Sequence, residues 1–455
     1  MQAAFFRRAQ LAAGACLGAL VWLSGQAHAQ QATPFKPERF DETWPQDAGA
    51  PFGAEFKNLS VAPDVTISFG GDGRWRFAAL DAPRLGLGGA EADDWLLQRL
   101  LLHADLRFDD DARLFVQVGA HDGVSREIPS STDDDGIDLQ QAFLDLNRAF
   151  GDVRATLRLG RQELSLGPRF VTTRDSGNVR QRHDMARLIM SAGPWRADLF
   201  GGRPTDVVHG AFDDKADLDE EFYGARLQRT FAHMTADFSI YELDRDGVTL
   251  AGVTARDERV SLDGRVAGRS GAYDFDAEAV FQGGSFGPQG VRAFGAVLEV
   301  ARRLDRAPFS PRIGARITYG GGDSDPADGE QGTFAPAFAN GAWFGQNGLA
   351  SFSNTVELAP VLTLAPREDV SVVAKVAGVW RADAADYLYA GNTPLAGTAG
   401  GEAYVGVAAS VSANWRPSPN LTINPYLSYV AIGDALQSRG AHDVAYAHLT
   451  LSLRF

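Results

Sequence analysis

The chain has 455 residues, 45% hydrophobic and 22% charged, with a formal charge of -15, 50 glycines, 28 phenylalanines and a single cysteine. Past the first thirty residues no stretch approaches the eighteen or more consecutive apolar residues of a transmembrane helix, which excludes an all-helical membrane protein. The glycine and phenylalanine content is unlike a helix bundle, and no Pro/Ser-rich linker divides the chain. One large repetitive β-structure is therefore expected rather than several soluble domains.

In chain order, residues 1–29 read as a signal peptide: Arg7 and Arg8, the apolar core LAAGACLGALVWLSG, then Ala27-His28-Ala29 as the cleavage site. Cys16 leaves with that leader, so the mature chain, expected from Gln30, has no disulfide, thiol nucleophile or cysteine metal site. Residues 30–64 are expected to be an N-terminal periplasmic segment, too short for the plug domain of a TonB-type receptor. Residues 65–455 are expected to form the barrel argued next.

The C-terminal AYAHLTLSLRF alternates strictly, with Ala445, Ala447, Leu449, Leu451, Leu453 and Phe455 against Tyr446, His448, Thr450, Ser452 and Arg454. QRLLLHADLRF sets Leu100, Leu102, Ala104, Leu106 and Phe108 against Arg99, His103, Asp105 and Arg107. Later segments repeat the pattern, with Asp237, Asp263, Arg265, Arg312 and Arg316 on the polar face. Charges at every second position suit a watered lumen whose outer face meets lipid, and a closed barrel leaves no backbone group unpaired in hydrocarbon. Eighteen strands are expected, near 65–80, 95–108, 112–121, 137–148, 153–166, 184–192, 195–206, 221–231, 234–245, 257–268, 273–284, 290–304, 310–321, 353–366, 369–382, 401–416, 420–433 and 443–455. Turns after even strands are short (AFGD, SAGP, PRED). Most connections after odd strands are long, with GSFGPQ the exception. That asymmetry predicts an all-β, transmembrane antiparallel barrel in a Gram-negative outer membrane, with short periplasmic turns and long extracellular loops. Trp380, Tyr404, Trp415, Tyr426 and Tyr429, near strand ends, are expected to form interfacial girdles.

The run from Arg158 to Arg187 holds seven arginines (158, 161, 169, 174, 180, 182 and 187) against Glu163, Asp175 and Asp184, a local balance of +4 in an acidic chain. It covers the top of the fifth strand and the third external loop. Alternation breaks at Leu159-Gly160-Arg161: either the strand has left the hydrocarbon, or Gly160 allows a bulge that turns Arg161 inward. Folded into the lumen, Arg169, Arg174, Arg180 and Arg182 would meet Arg187 and the wall arginines Arg99 and Arg158 as a filter for anions. The competing reading makes the same arginines struts for nearby acids, or contacts for lipopolysaccharide.

LGRQELSLG followed by R-F-V-x-x-R-D-x-x-N-V-R, then MARLIM and WRADLFGGRP, resembles the alginate-export family of outer-membrane porins. The likeness runs upstream through DDWLLQRLLLHADLRF, RLFVQVGAHDG and IDLQQAFLDL. It implies an eighteen-stranded monomeric barrel with an electropositive constriction that passes an anionic polysaccharide outward. Carried over by position, Arg161, Arg174, Asn178, Arg180 and Arg187 would face the polymer, and Asp198 would balance them. Pro168-Arg169-Phe170 and Thr172-Thr173 depart from the family pattern.

The expected function is thus an outer-membrane channel for an anionic solute, most directly an alginate-like polyuronate leaving through an arginine-lined constriction. A general or small-organic-acid uptake porin is the alternative, and a barrel enzyme or adhesin a third reading. No nucleophile stands beside a base, so no enzymatic activity is expected. Partners would be outer-membrane lipid, lipopolysaccharide and periplasmic secretion proteins, with no nucleic acid. No cofactor is expected beyond structural calcium in acidic external loops, at Asp133–Asp135, Asp213, Asp214, Asp217, Asp219, Glu220, Glu221, Asp323, Asp325 and Asp328.

Overall fold

A computed structural model describes residues 35–44, 52–87, 89, 92–345, 350–391 and 393–455. The signal peptide and its cleavage site lie outside the described residues. Eighteen long strands form the wall: β1 (Val65–Leu80), β2 (Asp93–Phe108), β3 (Ala112–Val124), β4 (Asp135–Phe150), β5 (Val153–Gln162), β6 (His183–Ala192), β7 (Trp195–Asp206), β8 (Glu220–Thr230) and β9 (Met234–Leu250) make one half. The other half is β10 (Val253–Ser270), β11 (Tyr273–Phe286), β12 (Gln289–Arg303), β13 (Arg312–Gly320), β14 (Thr355–Arg367), β15 (Val370–Trp380), β16 (Tyr404–Trp415), β17 (Leu421–Ile432) and β18 (Val444–Arg454). Consecutive strands pair antiparallel, and β1 meets β18 from Asp72↔Arg454 to Leu80↔Tyr446, which closes the cylinder and removes both edges.

The alternation has its predicted meaning. On β2, Leu100 and Leu102 are exposed on the outer surface at 46% and 41%, while Arg99, His103 and Asp105 are buried inside. Phe238, Phe281 and Leu358 continue the outer apolar belt. Trp415 and Tyr429 are exposed as girdle residues are, but Tyr426 is not one of them. It pairs with His448 across β17 and β18 and stacks on that ring inside the barrel at 5.1 Å.

Two expectations on the strands are corrected. The stretch between β9 and β10 is not a loop: the strands extend to Leu250 and Val253, and Ala251-Gly252 turns a hairpin, both with positive φ. β5 ends at Gln162 rather than at 166, because Glu163–Arg182 leaves the wall and enters the lumen. Gly160 makes no bulge there. Its register runs unbroken against Phe143 on β4 and Met185 on β6, at φ +123 where a Cβ would strike the Ala142 carbonyl oxygen.

Candidate functional site

Two external connections fold into the barrel and join one another. Phe170 and Val171 from the 163–182 loop lie beside Phe338 from the 321–354 loop as an isolated parallel bridge. Thr172 N–H donates to Phe338 O at 2.9 Å, Phe338 N–H to Phe170 O at 2.9 Å, and Asn340 N–H to Arg169 O at 2.8 Å. Phe170 packs edge-on against Phe334 and Phe352, and Phe338 against Phe222 and His183. Phe170, Val171, Phe334, Phe338 and Phe352 are fully buried although they lie in what composition suggests is a water-filled lumen.

Arginines of the wall at one end and of the loop at the other tie the loop to opposite walls. From β1, Arg74 donates to Asp175 O at 2.6 Å and Arg76 to Ser176 O at 2.6 Å. From β2, Arg99 pairs with the Asp175 carboxylate at 2.9 Å and with Asp72 at 3.5 Å. Across the barrel, Arg169 pairs with Glu278 at 2.6 Å and Asp276 at 3.0 Å on β11, with its guanidinium 4.7 Å over the Trp343 ring. The loop is therefore a beam across the lumen, pinned at both ends by charge-assisted bonds.

Each predicted site residue has a defined place. Arg158 makes a two-point contact with both Asp145 oxygens at 2.7 and 2.8 Å, and Arg187 donates twice to the one Oδ1 of Asp198 at 2.6 and 3.0 Å, a carboxylate that also takes Arg196. Arg180 pairs with Glu163 at 3.0 Å and Asp175 at 3.5 Å. Arg182 lies against Asp135 at 3.2 Å and against Asp214. Arg161 corrects the lumen expectation: it keeps the outer parity of β5, binds Asp184 at 2.8 and 3.0 Å, and reaches Asp214 O. Asn178 corrects it too. Fully buried, its amide donates to the carbonyls of Gln98, Asp122 and Asp133, so it latches the loop to the wall.

Arg174 differs from these. No carboxylate lies within salt-bridge distance of it among the described residues. It donates to Gln181 Oε1 and Ala337 O at 3.2 Å, and lies 5.2 Å over Phe338. Burial lowers it to about 10, partly offset by Glu220, so it remains charged at neutral pH. Near it, burial pushes the Asp175 carboxyl up, but Arg99, Arg180 and Arg74 outweigh that and hold it well below the usual carboxylate range. Burial raises Glu163 despite Arg180 beside it.

Below the beam opens a cavity of about 890 Å³, roofed by Glu163 and Ser165–Pro168. Its wall carries Arg107, Arg113, Arg158, Arg187, Arg196, Arg226 and Arg265. Five of them belong to a belt of cross-strand pairs, one for each of seven hairpins joined by a periplasmic turn: Arg113–Asp105, Arg158–Asp145, Arg187–Asp198, Arg226–Asp237, Arg265–Asp276, Arg312–Glu299 and Lys375–Glu357. Arg107 and Arg196 pair with Asp105 and Asp198 along their own strands. Alternating fixed charges of this sort let an anion move between guanidinium groups without meeting one deep trap. Arg113, Arg196 and Arg226 were missed in the sequence. Their signal was available: each stands on the polar parity of an alternating segment.

The acidic loops place Asp135, Asp138 and Asp214 within 4.8 Å of one another, and Arg182 is the cation seated against two of them.

A closed barrel with a lipid-facing apolar belt, a charged lumen and an inward loop defines an outer-membrane channel. The alginate export family model matches residues 65–449, and the chain belongs to that family. Solved structures with the same fold include Pseudomonas aeruginosa OpdO (TM-score 0.56, 12% identity, 86% of this chain and 97% of that one covered) and P. aeruginosa OpdQ (0.56, 12%, 86% and 98%). Acinetobacter baumannii OccAB1 is a third (0.54, 11%, 85% and 96%). Comparison with curated proteins finds no match.

Proposed function

We propose that this protein is a passive channel for anionic solutes, and that an alginate-like polyuronate leaving the cell is its cargo. One observation carries the reading: the cavity below the beam is lined by seven guanidinium groups, each paired with a carboxylate, with Arg107, Arg196 and Arg265 part-exposed and Arg158 and Arg187 buried. Guanidinium matches the planar carboxylate of a uronate in two-point geometry, and partial neutralisation by the belt acids keeps each contact weak enough to release. Arg174, which has no acid partner within salt-bridge distance among the described residues, is the loop guanidinium freest to meet the solute.

A second reading, uptake of a small organic acid, has its own support. The Phe170–Phe338 interlock is buried and hydrogen-bonded, and a polymer passing it has to displace packed aromatic rings. Single-channel recording in planar bilayers separates the two. Anion selectivity with concentration-dependent block by uronate oligomers supports the polymer path. Anion selectivity insensitive to oligomers but altered by small dicarboxylates supports the second, and a channel with no ion preference sinks both.

A further inference from the structure

Ten of the residues before the barrel dock against its inner wall. Residues 35–44, FKPERFDETW, lie inside the periplasmic mouth, and Pro37, Glu38, Phe40 and Asp41 form part of the arginine cavity's wall. Arg39 is buried. It pairs with Glu42 at 2.5 Å and donates to Gly71 O at 2.7 Å and Phe455 O at 2.8 Å, which anchors the segment to the seam between β1 and the end of the chain. Phe40 is 6% exposed, with its ring edge-on to Phe143 at 5.5 Å and Phe115 at 6.1 Å. The Arg158 guanidinium lies 4.4 Å over that same ring. A phenylalanine clamped between two rings and a cation is a specific docking contact, not incidental apposition.

What the segment offers to the arginines decides its role. Arg113 donates to Phe40 O at 2.8 Å, and Arg180, from the beam itself, donates to Pro37 O at 3.1 Å. Glu38 and Asp41 add two carboxylates to the same cavity. A short segment whose backbone oxygens occupy guanidinium donors, and whose Glu38 and Asp41 line the same cavity, presents there the groups that an anionic chain would present.

We propose that residues 35–44 are a resident plug, an internal mimic of the anionic solute that holds the mouth closed until a solute competes for Arg113, Arg158 and Arg180. This rests on the anion-channel reading above. It places gating at the periplasmic mouth, with Phe40 as the latch.

The test is single-channel recording of the full-length protein, wild type against Phe40→Ala and against Arg39→Gln, with folding checked by the heat-dependent gel shift of a closed barrel. Phe40→Ala removes the clamped ring, and Arg39→Gln removes the anchor without touching the cavity's arginines. Both are expected to raise the open-to-closed ratio about tenfold or more, the change that about 1.4 kcal/mol of lost docking produces. The sign of the ion selectivity is expected to stay the same. An unchanged open-to-closed ratio in both folded variants, with anion preference intact, overturns the plug and leaves the channel reading standing. A wild type without anion preference overturns the channel reading instead. The plug is then judged only by whether the two variants open the pore, and it falls if they do not.

Discussion

Val171 and Phe338 pair as a parallel bridge inside the barrel, joining two external loops that leave the wall at opposite sides of the lumen. Each loop supplies backbone donors that the other satisfies, and the rings of Phe170, Phe334, Phe338 and Phe352 exclude water around them. A buried backbone group without a partner is costly, so neither loop holds this conformation alone. The beam is a joint product of both.

Phe338→Ala is therefore expected to loosen the beam while leaving the wall closed. Truncating a fully buried phenylalanine costs about 3–5 kcal/mol. The loss falls on loop packing against Phe222 and His183 rather than on strand pairing. Larger conductance with frequent sub-states, at unchanged far-ultraviolet circular dichroism, is the expected record. Wild-type conductance in the variant would show that the interlock does not limit the path.

The pair of Arg180 and Glu163 supports a double-mutant cycle. Glu163 is fully buried and its partners are Arg180 at 3.0 Å and the Gln140 amide at 2.8 Å. Arg180→Gln leaves a buried carboxylate without its cation, a loss of about 3–5 kcal/mol. Adding Glu163→Gln is expected to restore most of it, since a neutral pair can remain hydrogen-bonded. Denaturant melts of the two single variants and the double variant read the coupling. Additive losses would mean that the two side chains do not act as a unit.

The wall of this protein was legible in the sequence because period-two alternation is imposed by geometry at every strand, and a bilayer punishes any exception. The lumen was less so. Seven arginines in one run marked the inward loop, but sequence could not tell Arg161 and Asn178 from Arg174, since pairing depends on which acids the fold brings near. Asp276 and Glu278 meet Arg169 from β11, across the barrel and far along the chain, where no local pattern points to them. The same holds for Phe338, which looked like ordinary long-loop sequence until the two loops met.

Asp198 is expected to set how positive the cavity is. It is fully buried and accepts from both Arg187 and Arg196, two guanidinium groups on the cavity wall. Asp198→Asn keeps the shape and removes one negative charge. The anion-to-cation permeability ratio, read from the reversal potential in a salt gradient, is expected to rise. A fall or no change would mean that the path avoids this side of the wall.

Acid is expected to make the channel more anion-selective, and the sign follows from two carboxyls in the beam. Burial raises Glu163 above its usual value, whereas three arginines hold Asp175 below its own. On acidification Glu163 takes up its proton before Asp175, which stays charged below the usual carboxylate range. Arg180 then loses the Glu163 charge but keeps Asp175, and the roof of the cavity gains one positive charge. The linkage to stability is opposite for the two groups. Glu163 binds its proton more readily folded than unfolded, so it adds stability as pH falls from its raised value toward the unfolded one near 4.3. Asp175 contributes stability that is fully present above about 3.9 and is lost only as pH falls further, through its depressed folded value. Reversal potentials are expected to move toward anion preference as pH falls through the raised Glu163 value, without loss of the folded gel mobility. In Glu163→Gln the preference is expected to be already high at pH 7 and flat with pH. A wild-type profile that matches the variant's would place the titrating group elsewhere in the lumen.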